Sequence, residues 1–148
     1  PSSQQTGRYQ NGKSMTTFQH KPDHMPGRGH NTKRKGDAAE DEALAFLQTR
    51  GLQLVQRNYR TPGRGGGEID LIMRAPDTTL VFVEVRRRRS STHGGAAASV
   101  GKTKQRRIVF AAQHYLTRLR SLPPCRFDVV EVTPDGVNWL QAAFDAGR

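Results

Sequence analysis

Glu68, Asp70 and Glu84, with Arg86 two residues past the last, gather three carboxylates and a guanidinium into the stretch GEIDLIMRAPDTTLVFVEVRRRR from Gly67 to Arg89. Both halves of the stretch alternate with period two, which on a strand sends successive side chains to opposite faces. Glu68, Asp70 and Ile72 then share one face of a first strand, with Ile69, Leu71 and Met73 on the other. Leu80, Phe82, Glu84 and Arg86 share a face of a second strand, opposite Val81, Val83 and Val85. The connection Ala75-Pro76-Asp77-Thr78 carries residues that start tight turns and is too short for a parallel crossover, so an antiparallel hairpin is expected. A turn centred near Asp77 sets Asp70 directly across from Glu84.

Cross-strand neighbours of like charge destabilise a sheet. A hard divalent cation, Mg²⁺ or Mn²⁺, offsets that repulsion, because such ions are commonly held by one or two carboxylates together with substrate phosphates. The alternative is a solvated acidic face beside the basic Arg86, and spacing alone leaves both open.

The elements that must position this hairpin fit one modest domain of a 148-residue, 16.5 kDa chain. Lys and Arg number 24 against 13 Asp and Glu, a formal net charge of +11, which favours polyanionic partners. The lone Cys125 excludes an intrachain disulfide, and no CxxC or HExxH spacing marks a zinc site. No apolar run approaches the roughly 20 residues that span a bilayer, and the N-terminus lacks a signal peptide's apolar core, so a soluble cytoplasmic protein without membrane contact is expected.

Residues 1–32 are rich in Ser, Gln, Gly, Asn, Pro and His without sustained apolar period and read as a disordered basic tail, with His20, His24 and His30 assigned no role. The folded domain is expected over 33–148. Asp37 to Arg50 reads as a helix with Ala39, Ala43, Leu44, Phe46 and Leu47 as its apolar stripe and Gly51 at the C-terminal cap. Glu40 falls inside that stripe. It either pairs with an arginine at the stripe's edge or faces the hairpin's carboxylates as a third acidic ligand.

Leu52 to Arg60 suits an edge strand, and Thr61-Pro62-Gly63-Arg64-Gly65-Gly66-Gly67 is an exposed, flexible connection to the hairpin. Lys104 to Leu119 is helical through Ile108, Ala112, Tyr115, Leu116 and Leu119, with Lys102, Lys104, Arg106 and Arg107 crowding its start. Arg126 to Val132 reads as a half-buried strand around Phe127 and Val129, and Val137 to Phe144 closes the chain with Trp139 and Leu140 over the sheet. Ala96 to Thr103, AAASVGKT, matches a relaxed P-loop. Because the strand before it ends in four arginines well ahead of the motif, a nucleotide-binding loop is not expected.

GDAAE at 36–40, GGEIDLI at 66–72, VFVEVR at 81–86, GGAAASV at 94–100, Lys104-Gln105 and CRFDVV at 125–130 occur in order. On these pieces the chain resembles the YraN-like family of bacterial proteins over about residues 33–144. That family is itself similar to nucleases and Holliday-junction resolvases of the restriction-endonuclease-like fold. The resemblance implies an α/β (α+β) architecture, a mixed sheet with an antiparallel hairpin flanked by helices. It sets Asp70 and Glu84 at the two acidic positions of the PD-(D/E)xK motif and Glu40 at the helical acid of resolvase-like members. Where most such nucleases carry lysine two residues after the second acid, this chain has Arg86, which stays protonated and serves mainly as a bidentate phosphate clamp.

The expected function is therefore metal-dependent cleavage of DNA rather than RNA, in branched or single-stranded form. Glu40, Asp70, Glu84 and Arg86 form the catalytic set, and Asp70, Glu84 and Glu40 hold Mg²⁺ or Mn²⁺. Lys102 or Lys104 supplies the cation that the motif lacks, and Arg87, Arg88, Arg89, Lys102, Lys104, Arg106 and Arg107 contact flanking phosphates. The rival reading is a non-catalytic nucleic-acid-binding module that keeps the nuclease fold, and a homodimer stays open in either case.

Overall fold

The computed structural model describes residues 28–89 and 100–146, with side chains from 36 onward. The chain divides into two units, Pro1–Arg34 and Lys35–Arg148, and the second holds all five described strands. The tail through residue 27 lies outside the described residues, as do the side chain of His30 and the first four residues of the P-loop match.

Helix α1 spans Arg28–Thr49, β1 Gln53–Arg60, β2 Glu68–Arg74, β3 Leu80–Arg87, α2 Lys102–Leu116, β4 Cys125–Thr133 and β5 Gly136–Phe144. The strands form one mixed sheet in the order β1-β2-β3-β4-β5, antiparallel except for the central β3–β4 pair, and two helices flank it. This is the expected α+β architecture. Among the described residues no helix is long and apolar enough to cross a membrane.

Two clusters make the core. Ala39, Ala43 and Leu47 of α1 pack on Leu71, Val81, Val83 and Val130, while Ile108, Ala111 and Tyr115 of α2 pack on Ile72, Phe82, Phe127 and Val129. The alternation of β3 is visible in this split, since Leu80 and Phe82 join α2 whereas Val81 and Val83 join α1. Gly51, at φ +92, ends α1 as expected, with Gly51 N–H donating to the Gln48 carbonyl and Leu52 N–H to the Leu47 carbonyl.

Several boundaries differ from the sequence reading. Residues 28–36 are helical, because polar turns ahead of Ala39 carry no apolar stripe to announce them. Helix α2 starts two residues earlier than expected and ends at Leu116. Strand β4 is buried on both faces rather than half-buried, because it lies inside the sheet between β3 and β5. The closing segment is a fifth strand rather than a cover, with Trp139 packed against the α1 cluster and Leu140 against the α2 cluster.

Ile69 packs with Ile72 instead of with Leu71 and Met73. Between the pairs Arg57↔Leu71 and Tyr59↔Ile69, the register sets Asn58 opposite Asp70, and Asn58 is left-handed at φ 52. The side chains on either side of Asp70 emerge on different faces at this irregular point of the β1–β2 pair.

At the other end of the sheet, Asp128 is fully buried. It accepts hydrogen bonds from Arg126 Nε at 3.0 Å, Trp139 Nε1 at 2.9 Å and the Ala142 N–H at 2.9 Å. Residues 141–143 bulge out of β5 opposite it, with Ala142 at φ 51, so one carboxylate serves the donor that the bulge orphans.

The β1–β2 loop docks on α2 through close backbone approach. A Cβ on Gly67 would lie 1.9 Å from the Arg107 carbonyl oxygen, and Arg107 Nε and Nη2 donate to the Gly66 carbonyl at 3.1 and 3.0 Å. Gly67→Ala is expected to lower stability by about 1–3 kcal/mol, because neither backbone can give way cheaply. Gly101→Ala, with open space where its Cβ would sit, should melt like the wild type. Thermal melts of the two variants check this.

Candidate active site

The β2–β3 ladder runs from Arg74↔Leu80 to Leu71↔Val83 and stops, while β3 stays paired with β4 as far as Arg87↔Val132. Strand β2 thus parts from β3 and the sheet forks. The next pair in register is Asp70 opposite Glu84, as the turn centre at Asp77 predicts. Asp70 Oδ2 accepts the Val85 N–H at 2.8 Å, so its side chain caps a donor inside the fork instead of standing on one face.

Glu84 is 5% exposed beside it. Burial, and then the charge of Glu84, push the Asp70 carboxyl up to about 7, against the pull of the Val85 N–H and Lys104. Glu84 is also raised by burial, opposed by Lys104, by Arg86 and by its hydrogen bond with Asp70. The two acids face each other at the fork, and burial there favours the protonated form of each.

Helix α1 brings Glu40 to this fork. Its carboxyl is raised first by burial and then by Asp70, while Arg57 pulls the other way. Arg57 Nη2 lies 3.5 Å from Glu40 Oε1 and 2.9 Å from Asp41 Oδ1. Glu40 therefore pairs with an arginine, which comes from β1 and not from the edge of the helical stripe, and it acts on Asp70 electrostatically. Glu68 turns away to Arg60 at 3.1 Å.

From the other side, α2 sets Lys104 Nζ 3.5 Å from Glu84 Oε2, with the lysine side chain 46% exposed. Lys102 instead lines a groove with Arg106 and Phe110, so Lys104 is the helix cation that meets the pair. Arg86 acts on Glu84 electrostatically. The remaining cations part company. Arg87 and Arg89 are exposed, whereas Arg88 Nε lies 3.2 Å from the buried Glu131 Oε2, and Arg107 is engaged with the Gly66 carbonyl.

Among the described residues no group of three or more His, Cys, Asp and Glu side chains is placed to hold a metal ion. The donor set fits a hard divalent cation as a two-carboxylate site. Asp70 and Glu84 offer oxygen ligands whose mutual repulsion and burial an ion would relieve, and Mg²⁺ characteristically takes only one or two carboxylates and completes its shell with water and phosphate. Glu40 acts on this pair through its field.

The family model described as "Uncharacterised protein family UPF0102" matches residues 39–132. The UPF0102 protein of Albidiferax ferrireducens is 70% identical over 115 residues, covering 78% of this chain and 90% of that protein. The chain belongs to the UPF0102 family. Further UPF0102 relatives occur in Paracidovorax citrulli, 69% identical over 116 residues (78% of this chain, 86% of that protein), and in Methylibium petroleiphilum, 59% identical over 118 residues (78% and 97%). The matched span contains Glu40, Arg57, Asp70, Glu84, Arg86 and Lys104.

Sequence reasoning missed Arg57. Its signal was an arginine inside an alternating edge strand, which names no partner until β1 is registered on β2.

The sign of the pH dependence follows from Asp70. Its carboxyl holds a proton up to about pH 7 in the folded chain, against 3.8 as its ordinary value. Between those limits the folded state binds more protons than the unfolded one, so the contribution of Asp70 to stability falls as pH rises through the window. Denaturant unfolding in chelator from about pH 4 to 7 should show wild type losing ground relative to Asp70→Asn. A constant difference between the two proteins would contradict the shifted carboxyl.

Proposed function

We propose that this chain is a Mg²⁺- or Mn²⁺-dependent nuclease that hydrolyses phosphodiester bonds in DNA, in branched or single-stranded form. The observation that carries the reading is the Asp70 and Glu84 carboxyls set opposite one another at the sheet fork, with an exposed lysine 3.5 Å from Glu84 on a strongly basic chain. A binding module has little reason to bury facing acids where phosphates must approach. A cytoplasmic setting suits the single free thiol of Cys125.

Asp70 and Glu84 would hold the ion, which when bound supplies a compact charge that lowers the pKa of water and neutralises phosphoryl oxygens. The Val85 N–H keeps Asp70 fixed in the fork, so little reorganisation is asked of it. Glu40, held by Arg57, adds negative field. Lys104 stands where it can leave Glu84 for a phosphate, and so supplies from a helix the cation that the strand position, occupied by Arg86, lacks. Arg86, always protonated, is suited to clamp the phosphate and to stabilise charge as it develops there. Arg87 and Arg89 offer flanking phosphate contacts.

The arginine at the strand position and the lack of a three-carboxylate group among the described residues favour one second reading, a binding module without cleavage.

Calorimetric Mn²⁺ titration, beside cleavage of a branched and single-stranded DNA panel, tests the proposal. Asp70→Asn is expected to weaken metal binding and abolish cleavage while the protein still folds cooperatively. Lys104→Ala should spare metal binding and slow cleavage about 100-fold or more, as loss of a transition-state donor does. Equal Mn²⁺ affinity in wild type and Asp70→Asn would remove the metal site and leave the binding module.

A further inference from the structure

We infer that the outer face of α2 is a stacking subsite for single-stranded nucleic acid, with Phe110 as the platform for a base and Lys102 and Arg106 as contacts to the strand's phosphates. The inference rests on the nucleic-acid half of the nuclease reading and names its substrate class.

Helix α2 buries Ile108, Ala111, Ala112 and Tyr115. On the opposite face Lys102, Arg106 and Phe110 follow one another at intervals of four residues, a single ridge that rises about 6 Å per step. Phe110 is 50% exposed, and it is the one Phe, Tyr or Trp among the described residues that is largely open to solvent. Every other described aromatic packs into the sheet or against its helices, and no packing among the described residues calls for an exposed Phe110. Placed where it is, it costs hydrophobic exposure that a partner would recover.

The ridge borders a groove of about 510 Å³ lined also by Gln105, Gln113 and Asp145. A groove of that size takes a small planar group, and the exposed Gln113 amide can both donate to and accept from base edges, while Gln105 Nε2 donates to the Val100 carbonyl. Cations that track a backbone beside an exposed ring are the combination that single-strand binders use, because every base has a π face to stack. Lys102 and Arg106 draw the backbone along the ridge, which leaves the bases to meet Phe110.

A duplex keeps its base faces stacked on one another and cannot use the ring. A second copy of this chain, at +11, would bring like charge against the ridge. Lys104, between Lys102 and Arg106 in sequence, points the other way to Glu84. A strand lying on the outer face is thus held by the same helix turns that overhang the acidic pair.

The test measures fluorescence anisotropy of labelled oligothymidylate and of a duplex of equal length, with the full chain in chelator, so that neither metal binding nor cleavage enters. Phe110→Ala is expected to bind oligothymidylate about tenfold more weakly, to bind the duplex as wild type does, and to melt at the wild-type temperature. Phe110→Trp should keep the affinity and lose indole emission on binding, a sign of stacking that a packing role would not produce. Wild-type affinity in Phe110→Ala, equal losses on both nucleic acids, no binding of oligothymidylate by wild type, or a wild-type dimer that Phe110→Ala dissociates would each overturn the subsite. If the expected pattern holds in chelator and Mn²⁺ still elicits no cleavage, the subsite stands and the nuclease reading falls.

Discussion

A strand that leaves its neighbour inside a sheet strands backbone donors in a region with no water to take them. Here that donor is the Val85 N–H, and the Asp70 carboxylate takes it. The other features of the fork follow from this bond. Asp70 must lie between the strands and not on a face, the hairpin register then brings Glu84 opposite it, and burial raises the pKa of both acids. Because the fork opens toward both faces, α1 on one side and α2 on the other can each deliver a side chain to it, Glu40 from the first and Lys104 from the second.

The hairpin was legible in the sequence because period-two alternation and a proline-aspartate turn leave little freedom. Once the turn centre is placed at Asp77, Asp70 and Glu84 must oppose one another. The faces of β3 were legible for the same reason. Those of β2 were not, since Ile69 changes sides where the β1–β2 pair is irregular, opposite a left-handed Asn58, and no pattern within β2 announces that irregularity. The choice between Lys102 and Lys104 depended on where α2 begins and how it is rotated, which small polar residues ahead of the helix do not announce.

Asp128 and Glu84 are both buried carboxylates on interior strands, yet their surroundings differ in kind. Asp128 has its acceptor capacity filled by a guanidinium, an indole N–H and a backbone N–H. Glu84 faces another acid and one half-exposed lysine, with Arg86 acting on it through its field. Satisfied buried charge fixes structure, whereas charge kept in tension is where chemistry is found, and that contrast separates the two sites more sharply than burial does.

Each outer strand of the sheet carries an interruption. In β1 the register shifts between Leu54 and Gln56 and Asn58 turns left-handed, and in β5 residues 141–143 bulge with Ala142 left-handed. Neither rim therefore presents a long flat row of free N–H and C=O groups. A strand from another molecule arriving at either rim would find its ladder broken after a few residues, so the folded sheet resists growth by edge-to-edge addition.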